Sequence, residues 1–374
     1  MRRRSSELAI ECNSTAKTAL LIWIRGILCI QFCTLLWKED VSDLLAYVVD
    51  HMTAYRYFDR FVPEDIEAAL GRRYIVGPEV GVGGQGAVFT ATRISRPDGT
   101  PTNDSVALKL HLYPSQDIRV QREITAMENL SHPNLARLIE HGSCELAHER
   151  VRYIAWELIE GKPLSAQLKH GPLLESEVLA IGRDVSAAIA EIWTLRIVHG
   201  DIKPSNIMLR NSGDYITVGS VDNAVLIDLG GASFLNQDDS RSTLRPSRSF
   251  DPDNNTAALK PLGTLGYFSP ERYRGEKALS YASDVFSLGV VMMQCLLGWH
   301  PTAYDQNALA DGIQASRGKV PASSGLLLAL DRMLSPRPAL RPNPAELSRR
   351  FQGLRQMMRT EYGTDTRAAV KAQD

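Results

Sequence analysis

The chain has 374 residues, enough to bury a sizeable core as two or three compact units or as one large unit with two lobes. Its 42 Lys and Arg residues nearly balance its 43 Asp and Glu residues, so no overall field would attract nucleic acid or anionic lipid. The five scattered cysteines lack the paired spacing of a zinc site or a disulfide framework. These features predict a cytoplasmic protein whose partners are set by local sites.

Residues 18–37 form an apolar run about as long as a membrane span. Arg25, near the middle, costs roughly 2.5 to 3.5 kcal/mol on insertion, which nearly cancels the gain from the aliphatic residues. Basic residues precede the run, so the positive-inside tendency would export everything downstream. A packed or interfacial helix is therefore favoured over membrane association, and a start assigned too far upstream, with Met52 as the alternative, is a third reading.

From Arg72 the pattern changes to β-branched and alternating residues. RYIVGPEVGVGGQGAVFTATRI and SVALKLHLY predict three antiparallel strands, with SRPDGTPTND between them as a loop. SQDIRVQREITAMENL predicts an amphipathic helix, and LARLIEHGS and RYIAWELIE predict two more strands. Farther on, ESEVLAIGRDVSAAIAEIWTL has one apolar stripe, and DVFSLGVVMMQCLLG is apolar nearly all round. The sequence thus predicts an α+β fold with a small β-rich lobe, a larger helical lobe and a ligand site between them.

The stretch GVGGQGAVF has the pattern G-x-G-x-x-G-x-V, which alone is weak because glycine runs also occur in turns and in dinucleotide folds. AVFTATRI continues as a strand and does not open a helix, which favours a flap over phosphates. Glycines let backbone amides approach an anion without a side chain between them. The flap residues predicted to contact a nucleotide are Gly81, Val82, Gly83, Gly84, Gln85, Gly86 and Val88.

The alternation in SVALKLHL places Ala107 and Lys109 on the face opposite to the aliphatic residues. A solvent-facing lysine on a half-buried strand is one reading. A small residue beside a lysine, directly after a glycine flap, instead predicts a floor for a flat base and a cation for its phosphates. Because a lysine stem is flexible, the cation needs an anchor. Glu123 in QREITAMENL is the favoured anchor, with Glu128 as the alternative.

The stretch HGDIKPSNIML places a carboxylate, an ammonium and an amide at fixed intervals between apolar runs. Phosphoryl transfer to a hydroxyl needs an acceptor for the proton, positive charge on the moving group and ligands for magnesium. Asp201 can accept the proton, Lys203 can neutralise the phosphoryl group, and Asn206 can bind the metal. Asp228, which follows a buried strand in AVLIDLGG, is predicted to be the second metal ligand.

In their order and spacing these stretches, together with VALK, HPN, GTLGYFSPE, SDVFSLGVV and LRP, resemble the eukaryotic-type (Hanks-type) protein kinase family over about residues 72–352. The resemblance implies a bilobal kinase fold, ATP with Mg²⁺ as cofactors and a protein substrate. It also implies an ion pair between Lys109 and Glu123, Asp201 as the catalytic base, and two metal ligands, Asn206 and Asp228.

Further roles follow from the resemblance by position. Trp156 stands at the gatekeeper place, where its bulk would close any pocket behind the adenine. Glu157 and Ile159 would offer backbone groups to the base. Three other residues are expected to stabilise the fold, as an ion pair and as a helix carboxylate that holds the catalytic loop: Glu271 with Arg341, and Asp284.

Several positions decide the branch of the family or depart from its pattern. Lys203 and Thr264 resemble the serine/threonine branch, and the doubled glycine of GVGGQG is similar to bacterial members. Gly200 stands where the family commonly has arginine, so the usual clamp for an activation-loop phosphate is missing, which argues against loop phosphorylation as an on-switch. Leu229 replaces the common phenylalanine. The long segment 228–271 could be regulatory, a docking surface or an insert.

The predicted division is an extension of unknown role over residues 1–70, a kinase domain over 72–352 with lobes 72–159 and 160–352, and a tail over 353–374. A serine/threonine protein kinase is the favoured function. The alternatives are a small-molecule kinase of the same fold, whose loops also begin with His-Gly-Asp, and a non-catalytic scaffold. No nucleic-acid partner is expected.

Overall fold

In a computed structural model of the chain, the described residues are 61–83, 86–94, 101–114, 118–210, 224–234, 265–274, 280–301 and 307–371. Several predictions lie outside these ranges and stay predictions. They concern the apolar run 18–37, the flap residues Gly84 and Gln85, the branch residue Thr264 and most of the segment 228–271. None of the helices within the described ranges is both long and apolar enough to cross a membrane.

The small lobe is a five-stranded antiparallel sheet with the strand order β1-β2-β3-β5-β4. The three strands and the helix predicted from the alternating and amphipathic patterns are present, and so are the two strands after them. The elements of this lobe are α1 (Pro63–Ala69), β1 (Tyr74–Gly83), β2 (Gly86–Ile94), β3 (Pro101–Pro114), α2 (Ile118–Glu128), β4 (Leu138–Leu146) and β5 (Glu149–Glu157).

The loop predicted between the second and third strands is shorter than expected. The prediction is wrong for the second half of SRPDGTPTND, because β3 already begins at Pro101, which pairs with Ile94 of β2. Antiparallel pairing with a neighbouring strand gives this polar stretch backbone partners that its composition does not reveal. Proline is tolerated at the first position of a strand, where its missing N–H matters least.

The larger lobe is mainly helical, as predicted, and α6 is buried nearly all round. On α4 the predicted apolar stripe is buried, from Val178 to Ile192. The elements of this lobe are β6 (Gly161–Pro163), α3 (Leu164–Gln167), α4 (Glu175–Thr194), β7 (Ile197–Val198), β8 (Ile207–Arg210), β9 (Ala224–Leu226), β10 (Ser233–Phe234), α5 (Pro270–Tyr273), α6 (Tyr281–Leu297), α7 (Asn307–Arg317), α8 (Ser324–Met333) and α9 (Pro344–Lys371).

Both faces of the five-stranded sheet are covered. Leu108 and Leu110 of β3 belong to an outer apolar cluster with Ile66 and Leu70 at α1, whereas Ala107 belongs to the main core with α2 and the helical lobe. The alternation of β3 therefore separates two cores and not a core from solvent. The α1 helix is also tied to β1 through the Glu67 carboxylate, which accepts from the Val76 N–H at 2.8 Å.

The predicted domain boundaries differ from the packing at both ends. α1 precedes residue 72 but is part of the core of the sheet lobe. At the other end, α9 continues through residue 352 to Lys371 without a break. The seven-residue α1 and the uninterrupted α9 give no sequence signal of where the domain ends. The boundary depends on which surface each helix covers.

Truncating Ile66 to alanine is expected to lower the free energy of unfolding by about 2–5 kcal/mol, because the side chain is fully buried in the outer cluster. Urea unfolding of the full chain measures this change. Glu64→Gln, an exposed change in the same helix, is the matched control and should alter the unfolding free energy by less than about 0.5 kcal/mol. Equal unfolding midpoints for the two variants would contradict the docking of α1 on the sheet.

Candidate active site

The predicted glycine flap is the hairpin of β1 and β2, whose last register pair is Gly83 with Gly86. Gly86 has a φ of +148°, and a Cβ there would lie 2.0 Å from the carbonyl oxygen of Leu110 on β3. Gly81 is exposed, and a Cβ there would meet nothing within 4 Å. Close strand packing therefore demands glycine at position 86 but not at position 81.

Replacing Gly86 with alanine is expected to destabilise the chain by at least about 1–3 kcal/mol, because backbone at β3 cannot yield to the added methyl group. Gly81→Ala serves as the control from the same motif and should leave the unfolding free energy nearly unchanged. Thermal and urea unfolding of both variants give the comparison. If Gly86→Ala unfolds at the same midpoint as Gly81→Ala, the close approach of β2 to β3 is not as described.

Lys109 of β3 lies at the centre of the cleft and is buried, which rules out a solvent-facing lysine. Its Nζ lies 3.1 Å from Oε1 of Glu123 on α2 and 2.8 Å from Oδ1 of Asp228. The predicted anchor and the predicted metal ligand thus share one ammonium group. Glu128, the alternative anchor, instead pairs with His141 on the exposed side of the lobe.

Lys109, Glu123 and Asp228 shift one another's pKa. Burial disfavours the charged form of Lys109, but the carboxylates of Asp228 and Glu123 outweigh it and raise its pKa above the ordinary value. Burial also works on Asp228, yet Lys109 dominates and lowers the pKa of that carboxyl. For Glu123, burial prevails over Lys109 and raises the pKa to about 7. The shifts therefore favour a charged lysine and an ionised Asp228 carboxylate at neutral pH.

The loop after β7 holds the next three predicted residues within reach of one another. Lys203 Nζ lies 2.7 Å from Oδ2 of Asp201. The side-chain amide of Asn206 donates to the same Oδ2 at 3.1 Å and to the Asp201 carbonyl at 2.8 Å. Because the amide nitrogen of Asn206 serves Asp201, its oxygen Oδ1 is the atom that could bind a metal.

Asp228 is held in a strained conformation directly after β9. Its φ is +65°, in the left-handed region that non-glycine residues rarely adopt, and its Oδ1 accepts from the Gly230 N–H at 3.2 Å. The preceding residue, Ile227, donates its N–H to the carbonyl of Asn206 at 2.9 Å. The two predicted metal ligands are therefore carried by directly connected backbone.

The Asn206 amide oxygen and the Asp228 carboxylate suit a magnesium ion that takes its remaining ligands from a substrate and from water. Within the described ranges, no group of three or more His, Cys, Asp or Glu side chains could hold a metal by itself. Magnesium usually binds through one or two carboxylates together with substrate phosphates and water. One carboxylate, Asp228, and one amide oxygen, from Asn206, match that requirement.

Asp284, near the start of α6, holds the loop that carries Asp201. Its carboxylate accepts from the backbone N–H of His199 at 2.8 Å and of Gly200 at 2.9 Å, as the sequence predicts. Gly200 has a φ of +77°, which glycine adopts without strain. Glycine at position 200 therefore cannot bind an activation-loop phosphate as an arginine would, but it suits the turn that presents Asp201.

The residues predicted to surround a base line one side of the sheet. Val88 pairs with Lys109 across β2 and β3, and Ala107 pairs with Trp156 across β3 and β5. Trp156 is buried beside Ala107, in the place expected of a gatekeeper. Val82 instead packs against the outer cluster, so the structure does not bring its side chain to this pocket.

Glu157 ends β5 and Ile159 follows it, where the two lobes connect, and Ile159 is buried. The Glu157 side chain makes an ion pair across this connection that the sequence did not reveal, with Arg210 of β8 at 2.6 Å. The backbone N–H of Glu157 donates to the carbonyl of Arg137 at 2.9 Å. The ion pair with Arg210 therefore ties the end of β5 to the helical lobe, and the backbone bond fixes that end within the sheet lobe.

Other supports were missed as well. His199 links the two halves of the site, since its Nδ1 accepts from the Asp201 N–H and its Nε2 contacts the Ile227 carbonyl, both at 3.2 Å. Asn134 donates to the Ala224 carbonyl at 2.8 Å, while the carboxylate of Asp184 accepts from the Ala224 N–H at 2.9 Å. Asn134 and His199 belong to the motifs HPN and HGD, although the motifs did not reveal these contacts. No sequence motif pointed to Asp184.

Comparison with known proteins agrees with this geometry. A family model described as the protein kinase domain matches residues 74–350. Serine/threonine-protein kinase pkn3 of Myxococcus xanthus is 30% identical over 251 residues, which cover 65% of this chain and 41% of that protein. Serine/threonine-protein kinase PrkC of Bacillus subtilis is 29% identical over 238 residues, which cover 62% of this chain and 31% of that protein. The chain spans less than half the length of these two bacterial relatives.

The matched region extends from the first strand of the sheet lobe into the last helix. It includes the flap hairpin and the polar groups of the cleft: Lys109, Glu123, Asp201, Asn206 and Asp228. A bilobal α+β architecture, a shared ammonium in the cleft and a family match over most of the sequence lead to one conclusion: this chain belongs to the protein kinase family.

Proposed function

We propose that the chain is an ATP-dependent serine/threonine protein kinase, which transfers the γ-phosphoryl group of ATP to a hydroxyl of a protein substrate. The observation that carries this proposal is the position of Lys109, whose Nζ lies within 3.2 Å of Glu123 and of Asp228 at once. A cation fixed from two sides is suited to hold the phosphates of a nucleotide. The names of the bacterial relatives point to the same activity.

Asp201 is the residue proposed to accept the proton of the attacking hydroxyl. Its carboxylate is held by Asn206 and by Lys203, and the backbone on either side is fixed through His199 and Asp284. Positioning of this kind converts an encounter of two reactants into a reaction within one complex. Lys203, 2.7 Å from Asp201, would place positive charge beside the transferred phosphoryl group.

Asn206 and Asp228 are proposed to hold Mg²⁺, through the amide oxygen of the first and the carboxylate of the second. The chemistry that a bound Mg²⁺ would supply is neutralisation of the charge on the phosphates. Asp228 is now engaged with Lys109, so nucleotide binding requires this ion pair to be shared with a metal. The low pKa of Asp228 keeps the carboxylate ionised for that purpose.

The test uses the full chain with labelled ATP, Mg²⁺, a generic protein substrate and a mixture of small aminoalcohols in one reaction. We expect label on protein, and we expect mass spectrometry to find it on serine or threonine. A parallel reaction with excess EDTA should show no transfer, since two protein ligands cannot stabilise the phosphates without the ion.

The outcomes separate the proposal from its competitors. Label on the aminoalcohols alone would support a small-molecule kinase of the same fold. Binding of ATP without transfer to any acceptor would support a non-catalytic scaffold, and phosphotyrosine as the main product would overturn the assignment to the serine/threonine branch.

A further inference from the structure

A buried histidine lies beside the Lys109–Glu123 pair, and the mechanism above does not use it. His111 follows Lys109 by two residues on β3, so both side chains lie on the same face of the sheet. His111 is 2% exposed, and its Nε2 lies 3.8 Å from Oε2 of Glu123. That distance is too long for a hydrogen bond but short enough for a small movement to make one.

The Nε2 atom of His111 has no hydrogen-bond partner within the described part of the chain, although it is buried. A buried polar nitrogen without a partner costs free energy, and a leucine would fill the same space without that cost. Leu108 and Leu110 fill the outer cluster from the same strand. An imidazole at this position therefore needs a reason other than packing.

The surroundings keep His111 neutral. The groups that act on it are Lys109 and Asp228 in the cleft, Glu123 on α2 and Arg152 on β5. Burial and then the cation of Lys109 lower the pKa of the imidazole well below its usual value. A second cation beside Lys109 is thus disfavoured, and the neutral ring has one N–H donor and one acceptor nitrogen.

Glu123 accepts hydrogen bonds from Lys109, and a bound nucleotide would compete for the same N–H groups. Lys109 Nζ now donates to both of its oxygens, at 3.1 and 3.2 Å, and to Asp228 at 2.8 Å. An ammonium has three N–H groups, so contacts with nucleotide phosphates must replace some of these. Burial already raises the pKa of Glu123 to about 7, so its ionised form is sensitive to the loss of a donor.

We propose that His111 is a positioning residue that donates a hydrogen bond from Nε2 to Glu123 when Lys109 turns to the phosphates of a nucleotide. This inference rests on the proposed function, since it needs a nucleotide in the cleft. A shift of about 1 Å between Nε2 and Oε2 is sufficient to form the bond. The bond would hold Glu123 and α2 in place while Lys109 serves the phosphates.

Two substitutions distinguish this role from packing. His111→Gln keeps an N–H donor at nearly the same reach, whereas His111→Leu keeps the bulk and removes the donor. We expect His111→Leu to weaken the affinity for ATP with Mg²⁺ about tenfold, as expected for one hydrogen bond to a charged group, and to raise the KM for ATP similarly. The KM for the protein substrate should not change, and His111→Gln should stay within about threefold of the wild type.

Calorimetric ATP affinity, kinetics and thermal unfolding are measured on the full chain for all three proteins. A packing role predicts the opposite order, with His111→Leu equal to the wild type in affinity and stability and His111→Gln impaired. That order, or equal losses in both variants, would overturn the proposal. A wild-type chain that binds ATP but transfers nothing would instead refute the proposed function, while the affinity comparison would still test His111.

Discussion

Replacing Asp201 with asparagine is expected to lower the rate of phosphoryl transfer by about 10² to 10⁴ fold, the usual contribution of a positioned general base. Asparagine has the same shape and can still accept from the Asn206 amide, which now lies 3.1 Å from the carboxylate. It cannot accept a proton from a substrate hydroxyl at neutral pH. The loss should therefore appear in kcat, with little change in the affinity for ATP.

The matched control is Asp331→Asn, the same chemical change at an exposed position of α8. Initial rates with labelled ATP, calorimetric ATP affinity and thermal unfolding are compared for the wild type and both variants. The control should keep its activity, and neither variant should lose more than about 1 kcal/mol of stability, since each change weakens one ion pair. A variant at Asp201 that retains a tenth or more of the wild-type rate would remove this residue from the role of base.

The elements of the sheet lobe could be predicted from local pattern because alternation and glycine runs report strand and turn directly. The meeting of Lys109 with Asp228 could not be predicted in this way, since 119 positions separate them in the chain. The order of motifs typical of a known family predicted only that both residues serve one nucleotide site, and not that they contact each other. Periodicity gives the face on which a side chain lies, and it gives no information about the partner across a cleft.

The features that sequence analysis missed share a physical cause. The helix α1 buries Ile66, but nothing in seven residues identifies the sheet surface that it covers. The packing of Val82 on the outer cluster carries no sequence signal, because a bulge in β1 between Val76 and Gly81 shifts its register with β2. The ion pair between Glu157 and Arg210 depends on how the lobes close, which no local pattern records.

The buried ion pair between Glu271 and Arg341 gives the largest expected effect on stability. Arg341 donates from Nη1 to Oε1 at 2.6 Å and from Nη2 to Oε2 at 2.8 Å, in a bidentate geometry. It also donates to the carbonyls of Ser335 and Ala282, at 2.9 Å in each. Replacing Arg341 with leucine leaves a buried carboxylate without its partner, and we expect a loss of about 3–5 kcal/mol.

Urea unfolding of Arg341→Leu, Glu271→Leu and the double variant measures the coupling between the two residues. The double variant should cost less than the sum of the single losses, because it leaves no unpaired charge. Arg341→Lys keeps the charge but not the bidentate fork, so an intermediate loss is expected. A loss below about 1 kcal/mol for Arg341→Leu would show that the pair contributes little to the packing of α5.

The same pair has a pH dependence whose sign is fixed by the direction of the shift. Burial opposes ionisation of Glu271, but the hydrogen bonds and the positive charge of Arg341 outweigh it and lower its pKa below 4.5. The stability that the ionised pair provides is therefore present above pH 4.5 and is lost as the pH falls through the lowered pKa. In Arg341→Leu burial outweighs the remaining hydrogen bond from Ser283, so the carboxyl should take up a proton at higher pH. The stability difference between the two proteins should accordingly shrink as the pH is lowered from 7 towards 4, and a difference that grows in acid would contradict this account.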